Sequence, residues 1–182
     1  MMVRGIIILT ISFLVQFGCK GQMIYRAERT DSTAATVLTK ADSLVLFAQK
    51  YIGVPYRSGG STPDGFDCSG YVNFVFRNNG ITVPRSSPEL AKIGVEVPLS
   101  ECRKGDIILF TGSSPTKRPI GHAGIVISDP GQPVRFIHSA TSNRQGIVIT
   151  ALDQYEYYLK RFVKVVRVVL APEDEKGKPG SK

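Results

Sequence analysis

Asp67-Cys68-Ser69-Gly70 follows a glycine-rich run and opens a short amphipathic segment, and the chain's two histidines, His122 and His138, lie downstream on strand-like stretches. A thiol at the start of a helix, facing imidazoles on a sheet, has the parts of a cysteine nucleophile. A helix N-terminus and a nearby imidazolium both stabilise a thiolate. Cys68 is placed for the first, and His122 is the natural source of the second. Asp67 opposes them as a neighbouring negative charge unless its carboxylate is occupied in capping backbone N–H groups. Taken alone, a cysteine at a helix start is more readily a buried small hydrophobe. The histidines change that weighing. In Gly121-His122-Ala123-Gly124-Ile125-Val126-Ile127 alternate residues face opposite sides of a strand. His122 and Gly124 then share one face, and the glycine leaves room there for another chain segment or a substrate. In Phe136-Ile137-His138-Ser139-Ala140, His138 points with Phe136 and Ala140. If the two strands pair, His138 reaches the far nitrogen of His122 and fixes its tautomer. One cysteine and two histidines are also a zinc donor set, but the chain has no Cys-x-x-Cys or His-x-x-x-His ligand pair, so no metal is expected.

Helices and a sheet must position these groups. A helical pattern begins at Thr39, with Leu44, Ala48, Tyr51 and Ile52 at helical spacing, and Gly53 and Pro55 end it. Arg57-Ser58-Gly59-Gly60 and Pro63-Asp64-Gly65 read as loop. A second helix starts at Cys68, capped by Asp67, with Val72, Val75 and Phe76 on its apolar face and Gly80 at its end. A third, short one begins near Ser87-Pro88-Glu89. After Gly105-Asp106 the period becomes that of strands, at 107–110, 122–128, 134–140, 146–150 and 162–170. Helices first and strands after predict an α+β domain with a mostly antiparallel sheet of about five strands.

The 182 residues suit one domain of catalytic size with short extensions, and an apolar share of 42% supports a packed core. The formal charge of +8 becomes +7 without Arg4, the only charge before Lys20. A basic surface suits an acidic matrix or simple solvation. No zinc-knuckle spacing, Lys/Arg block or aromatic–basic interleaving points to nucleic acid. Residues 1–19 read as an export signal: Arg4 precedes an apolar stretch too short to span a bilayer. Gly18-Cys19 sits where a bacterial lipoprotein signal is cut, with Cys19 as the lipidated residue. This resembles a lipobox, although Gln16 stands in a position usually held by a leucine-like residue and Phe17 is bulky. Plain secretion is the alternative. Residues 20–38 read as a polar tether, 39–170 as the catalytic domain, and 171–182 as a disordered charged tail. Export places Cys68 and Cys102 in an oxidising compartment. A disulfide between them is the bland alternative, and Cys102, in the polar stretch Ser100-Glu101-Cys102-Arg103-Lys104, looks incidental.

Together these stretches resemble the NlpC-type cell-wall peptidases, papain-like cysteine enzymes that cut peptidoglycan stem peptides. The landmarks are Gly53-Val54-Pro55-Tyr56-Arg57, Gly59-Gly60, Phe66-Asp67-Cys68-Ser69-Gly70-Tyr71, Pro84-Arg85-Ser86, Lys104-Gly105-Asp106 and the two histidine segments. The resemblance implies a papain-like core, Cys68 as nucleophile, His122 as general base and then acid, and His138 as the residue orienting it. It implies that Tyr56 polarises the carbonyl or shapes the pocket, and that Asp67, Ser69 and Arg85, with the adjoining Ser86, meet the substrate's amine and carboxylate groups. A pure helix cap for Asp67 and a surface ion pair for Arg85 are the plainer alternatives. The implied reaction is hydrolysis between γ-D-glutamate and the following diamino acid (meso-diaminopimelate) through a thioester, with no cofactor. An amidase or acyltransferase using the same nucleophile, and a non-catalytic peptidoglycan-binding protein, are the other readings. The expected setting is a monomer in the cell envelope, held by an outer-membrane lipid facing the periplasm or else secreted. No wall-binding module is expected before the domain. Leu90 stands where the family often has glutamine, and the stretch before His122 is long, so Lys117 and Arg118 are expected to border the cleft.

Overall fold

The first helix, α1 (Lys40–Gln49), starts at Thr39 because two otherwise orphaned N–H groups find partners there. The Thr39 hydroxyl accepts from the Asp42 N–H (3.1 Å) and the Asp42 carboxylate accepts from the Thr39 N–H (3.2 Å). Leu44, Val45 and Ala48 are buried on its inner face. The helix ends before Tyr51 and Ile52, and Ile52 is exposed, so the helical spacing overran by about a turn. The second helix, α2 (Cys68–Asn78), buries Tyr71, Val72, Val75 and Phe76. The Tyr71 hydroxyl donates to the Ala48 carbonyl (2.7 Å), tying the two helices together. Between them a small hairpin pairs β1 (Ser61–Thr62) with β2 (Gly65–Phe66). The third helix, α3 (Ser87–Leu90), starts where its Pro88 predicts.

The molecule is a computed structural model that describes residues 38–112, 119–141 and 146–169. The leader with Cys19, the tether up to residue 37, the stretch with Lys117 and Arg118, and the tail lie outside the described residues. Six strands form an antiparallel sheet in the order β3-β8-β4-β5-β6-β7. They are β3 (Val95–Val97), β4 (Ile107–Thr111), β5 (Ile120–Val126), β6 (Arg135–Ala140), β7 (Gly146–Ala151) and β8 (Phe162–Arg167). Five of these match the expected strands. The sixth, β3, is a three-residue edge whose exposed Glu96 pairs with Lys164, and that alternation is too short to register in the sequence. A short helix, α4 (Glu156–Leu159), precedes β8.

The sheet is covered on both faces. Ile107, Leu109, Ala123, Ile125 and Ile137 pack against α1 and α2, while Ile108, Phe110, Val126, Phe136 and Val165 form a second cluster on the other side. Each such side chain stabilises the fold by about 1.5–3 kcal/mol. Cys102 belongs to that second cluster and is 3% exposed, which corrects its reading as incidental to a polar loop. Burial, then the Asp106 carboxylate, push its thiol up to about 11. Neither cysteine forms a disulfide. Asp106, from the Lys104-Gly105-Asp106 landmark, takes both Nε and Nη2 of Arg167 at 2.9 Å inside the fold and locks β8 to the start of β4.

Candidate active site

The wall of the cleft that bears Cys68 is built by close backbone approach at the start of α2. The Asp67 N–H donates to the Gly60 carbonyl (3.1 Å), and a Cβ on Gly70 would collide with that carbonyl and with the Arg85 guanidinium. Only glycine lets the loop lie across the helix start. The Asp67 carboxylate caps the helix by accepting the Gly70 N–H (2.6 Å), and it accepts both Nη groups of Arg85 at 2.9 and 2.7 Å. Arg85 also donates to the Ser69 hydroxyl (3.0 Å), so Asp67, Ser69 and Arg85 are one network beside the thiol. The charge of Asp67 is therefore occupied, as a thiolate next to it requires.

Cys68 is half-buried, and its Sγ lies 3.8 Å from the Ser87 hydroxyl and 3.9 Å from the Gly121 carbonyl. The neighbouring Ser86 turns instead to Glu89 (2.8 Å), so Ser87 is the hydroxyl at the thiol. Leu90 is fully buried in the core beneath α2. Tyr56 is set by a bridge to Phe66 and lines the same cavity as Cys68. Burial, then negative charge at Cys68 and Asp67, raise its phenol, which keeps it a proton donor.

The opposite wall is made by the sheet. The β4–β5 register slips between Phe110↔His122 and Thr111↔Ile120, leaving Gly121 as an extra residue. That bulge aims the Gly121 carbonyl at Cys68 and brings His122 to the mouth of the strand. His122 Nε2 lies 3.0 Å from His138 Nδ1, and His138 Nε2 lies 2.9 Å from the Thr150 hydroxyl. All three side chains are buried. With Nε2 engaged by His138, Nδ1 is the His122 nitrogen left for proton exchange at the cavity. Desolvation, then the positive charge of Arg161, lower the His122 imidazole to about 4. Burial, then His122, hold His138 well below the ordinary histidine range. The resting pair is neutral at pH 7. The room that Gly124 leaves beside His122 is filled by Phe136 and the His138 Cβ, not by substrate.

Two contacts hold the walls in register. The Ser139 hydroxyl donates to the Phe66 carbonyl (2.7 Å), two residues before the nucleophile. The Gly53 N–H donates to the Ile147 carbonyl and the Ile147 N–H to the Val54 carbonyl, each at 2.9 Å, which holds the segment leading to Tyr56 against β7. A cavity of about 220 Å³ opens between Cys68 and Tyr56 on one side and Gly121 and His122 on the other. Tyr157, Tyr158, Arg161 and Thr141 close it. Sequence reasoning missed Thr150, Ser87, Tyr158 and Arg161. Thr150 had a signal, since it ends an expected strand, whereas Arg161 reaches the site only because β8 folds back beside β4.

The model of the NlpC/P60 family matches residues 53–167. The murein DD-endopeptidase MepS/murein LD-carboxypeptidase of Escherichia coli K12 is 38% identical over 118 residues, covering 64% of this chain and 57% of the relative. The γ-D-glutamyl-L-lysine dipeptidyl-peptidase of Bacillus cereus is 32% identical over 125 residues, covering 69% of this chain and 34% of the relative. The crystal structure of an NlpC/P60 family protein from Bacillus cereus superposes with a TM-score of 0.62 at 30% identity, covering 70% of this chain and 39% of that one. This chain thus spans from a third to little more than half the length of these relatives.

Proposed function

The chain belongs to the NlpC/P60 family, and from that premise we propose that it is a peptidoglycan hydrolase, a cysteine endopeptidase cutting stem peptides between γ-D-glutamate and the diamino acid. The observation that carries this reading is the line of contacts from Thr150 through His138 to His122, ending at the cavity that holds Cys68. His122 Nδ1 takes the thiol proton, and the Sγ attacks the amide carbonyl carbon. The oxyanion meets the N–H groups at the start of α2 and the Tyr56 phenol. His138 Nδ1 accepts from His122 Nε2 as the imidazole becomes imidazolium, and Thr150 accepts from His138 Nε2. His122 returns its proton to the departing amine, leaving a thioester. Water then gives its proton to His122, adds to the carbonyl, and expels the thiolate.

The γ-D-glutamyl bond is supported by the activity for which the Bacillus cereus relative is named and by the Asp67–Ser69–Arg85 network, whose charges suit the free amine and carboxylate of a short stem peptide. The name of the Escherichia coli relative favours a second reading, cleavage of a bond between D-configured centres in a cross-link. Defined tri- and tetrapeptides, with and without a free N-terminal alanine, and a cross-linked dimer separate the two by mass spectrometry. Release of an alanyl-glutamate fragment supports the first bond, and conversion of dimer to monomers supports the second. Fragments from the sugar–peptide bond would mark an amidase, and acyl transfer to an added amine a transferase. No product from any of them would leave a binding protein. Cys68→Ala is expected to abolish every product. Export and lipidation at Cys19 belong to the same proposal, and Cys19→Ser should release the protein from the membrane fraction.

A further inference from the structure

Among the described residues that line the cavity, Arg161 is a cation that this mechanism leaves unused. The Thr111 N–H donates to its backbone carbonyl (2.8 Å), and its own Nε and Nη2 both donate to the Thr111 carbonyl. The side chain is thereby pinned to the end of β4, next to the Phe110↔His122 pairing with β5. Its guanidinium lies 4.4 Å from the centre of the Tyr157 ring, and both residues line the cavity with Cys68 and His122. A guanidinium has about five N–H groups, and two of these point at Thr111. Among the described residues the Asp67 carboxylate matches Arg85 and the Asp106 carboxylate matches Arg167, but no carboxylate pairs with Arg161. An arginine already held by stacking and backbone contacts loses little further freedom on taking an anion.

The chemistry sets which part of a substrate meets it. His122 must reach the departing amine, so the leaving half of the scissile bond lies on the His122 side, where Arg161 is. We propose that Arg161 selects substrates whose leaving group carries a free carboxylate, binding that carboxylate through its unshared N–H groups. The inference rests on the acyl-transfer reading of Cys68 and adds a specificity determinant on the leaving side. A stem-peptide diamino acid at the end of the peptide supplies such a carboxylate, and only a form with every carboxyl amidated lacks it. After burial, the charge of Arg161 is the second cause of the depressed His122 basicity. A docked carboxylate offsets that charge and makes His122 a stronger base when substrate is bound.

Two measurements test this in wild type, Arg161→Lys and Arg161→Gln. The first compares alkylation of Cys68 by iodoacetate and by iodoacetamide, in which the thiolate sulfur displaces iodide from an anionic or a neutral reagent. The ratio of the two rates should fall roughly fivefold in Arg161→Gln and less in Arg161→Lys. The iodoacetamide rate itself reports that the site is intact. The second compares tripeptides whose diamino acid has its carboxyls all free or all amidated. Arg161→Gln should raise KM about tenfold for the free acid and little for the amide, with kcat nearly unchanged. An unchanged alkylation ratio, or equal losses on both peptides, overturns the proposal. If wild type cuts neither peptide, the endopeptidase reading fails while the alkylation ratio still decides the role of Arg161.

Discussion

The helix wall of the cleft carries a partly open ion pair, whereas the sheet wall carries a buried, neutral histidine pair. Arg85 is 41% exposed where it pairs with Asp67, while His138 is fully buried against Thr150, Phe136 and Tyr158. In the proposed mechanism the two walls serve one proton transfer by different means. On the helix wall, charges are balanced within the Asp67–Ser69–Arg85 network and stay within reach of a charged substrate. On the sheet wall, burial removes competing water and leaves each imidazole only its neighbour to bond, which fixes its orientation. A second aspartate–arginine pair, Asp106–Arg167, shows the contrast from another side, being almost fully buried and far from the thiol in role. The same two residue types are structural inside and available at the rim.

The sharpest way to break the comparison is at the base. His122→Ala should lower kcat/KM by about a thousandfold or more, because no other group in the cavity can move the proton at neutral pH. Residual turnover near wild type would mean that the sheet wall supplies no base. Next comes orientation: His138→Ala should lower kcat by roughly a hundredfold with KM nearly constant, and His138→Asn, which can still accept from His122, should recover part of it. A rise in KM without loss of kcat would assign His138 to the substrate instead.

Both histidines are held below their ordinary values, so each binds its proton more weakly folded than unfolded. Stability should be full above about pH 6.5, the unfolded value, and fall as pH drops toward 4, by up to about 1.4 kcal/mol per pH unit for each histidine. Melting temperatures of wild type and His122→Gln across that range check this, and parallel curves would refute it. Activity should also fall on the acid side only as pH drops toward about 4, the value of His122 in the fold, since protonated His122 cannot accept the thiol proton. The smallest effect belongs to the helix wall. Asp67→Asn keeps the cap but loses the ion pair, and should cost about 1 kcal/mol or less in stability. Its larger mark should be a raised KM for peptides with a free N-terminus.

Much of the site was legible. The parity of β5 put His122 opposite Ala123 and Ile125, and the parity of β6 put His138 beside Phe136, as found. Asp67 caps the helix that begins at Cys68. These are local features, set by an alternation of two or by a side chain three residues from its partner, so the chain itself displays them. What was misread involved distance in sequence. Cys102 looked polar from its neighbours but is buried by strands that arrive later in the chain. Gly124 offered room to a chain segment or a substrate, and only the packing of β6 from across the sheet decides for the segment. Ser86 and Ser87 are indistinguishable by motif, and only the turn into α3 decides which hydroxyl meets the thiol.

By itself the sequence determined the α+β class, the helix start bearing Cys68 and the face of each histidine, because backbone periodicity and capping act over a few residues. The tertiary structure alone decided that His122 turns Nε2 to His138, that His138 reaches Thr150, and that Arg161 lines the same cavity as His122 with no carboxylate paired to it among the described residues. Those outcomes depend on strand register, on a bulge at Gly121 and on burial, which exist only once segments many residues apart have packed together.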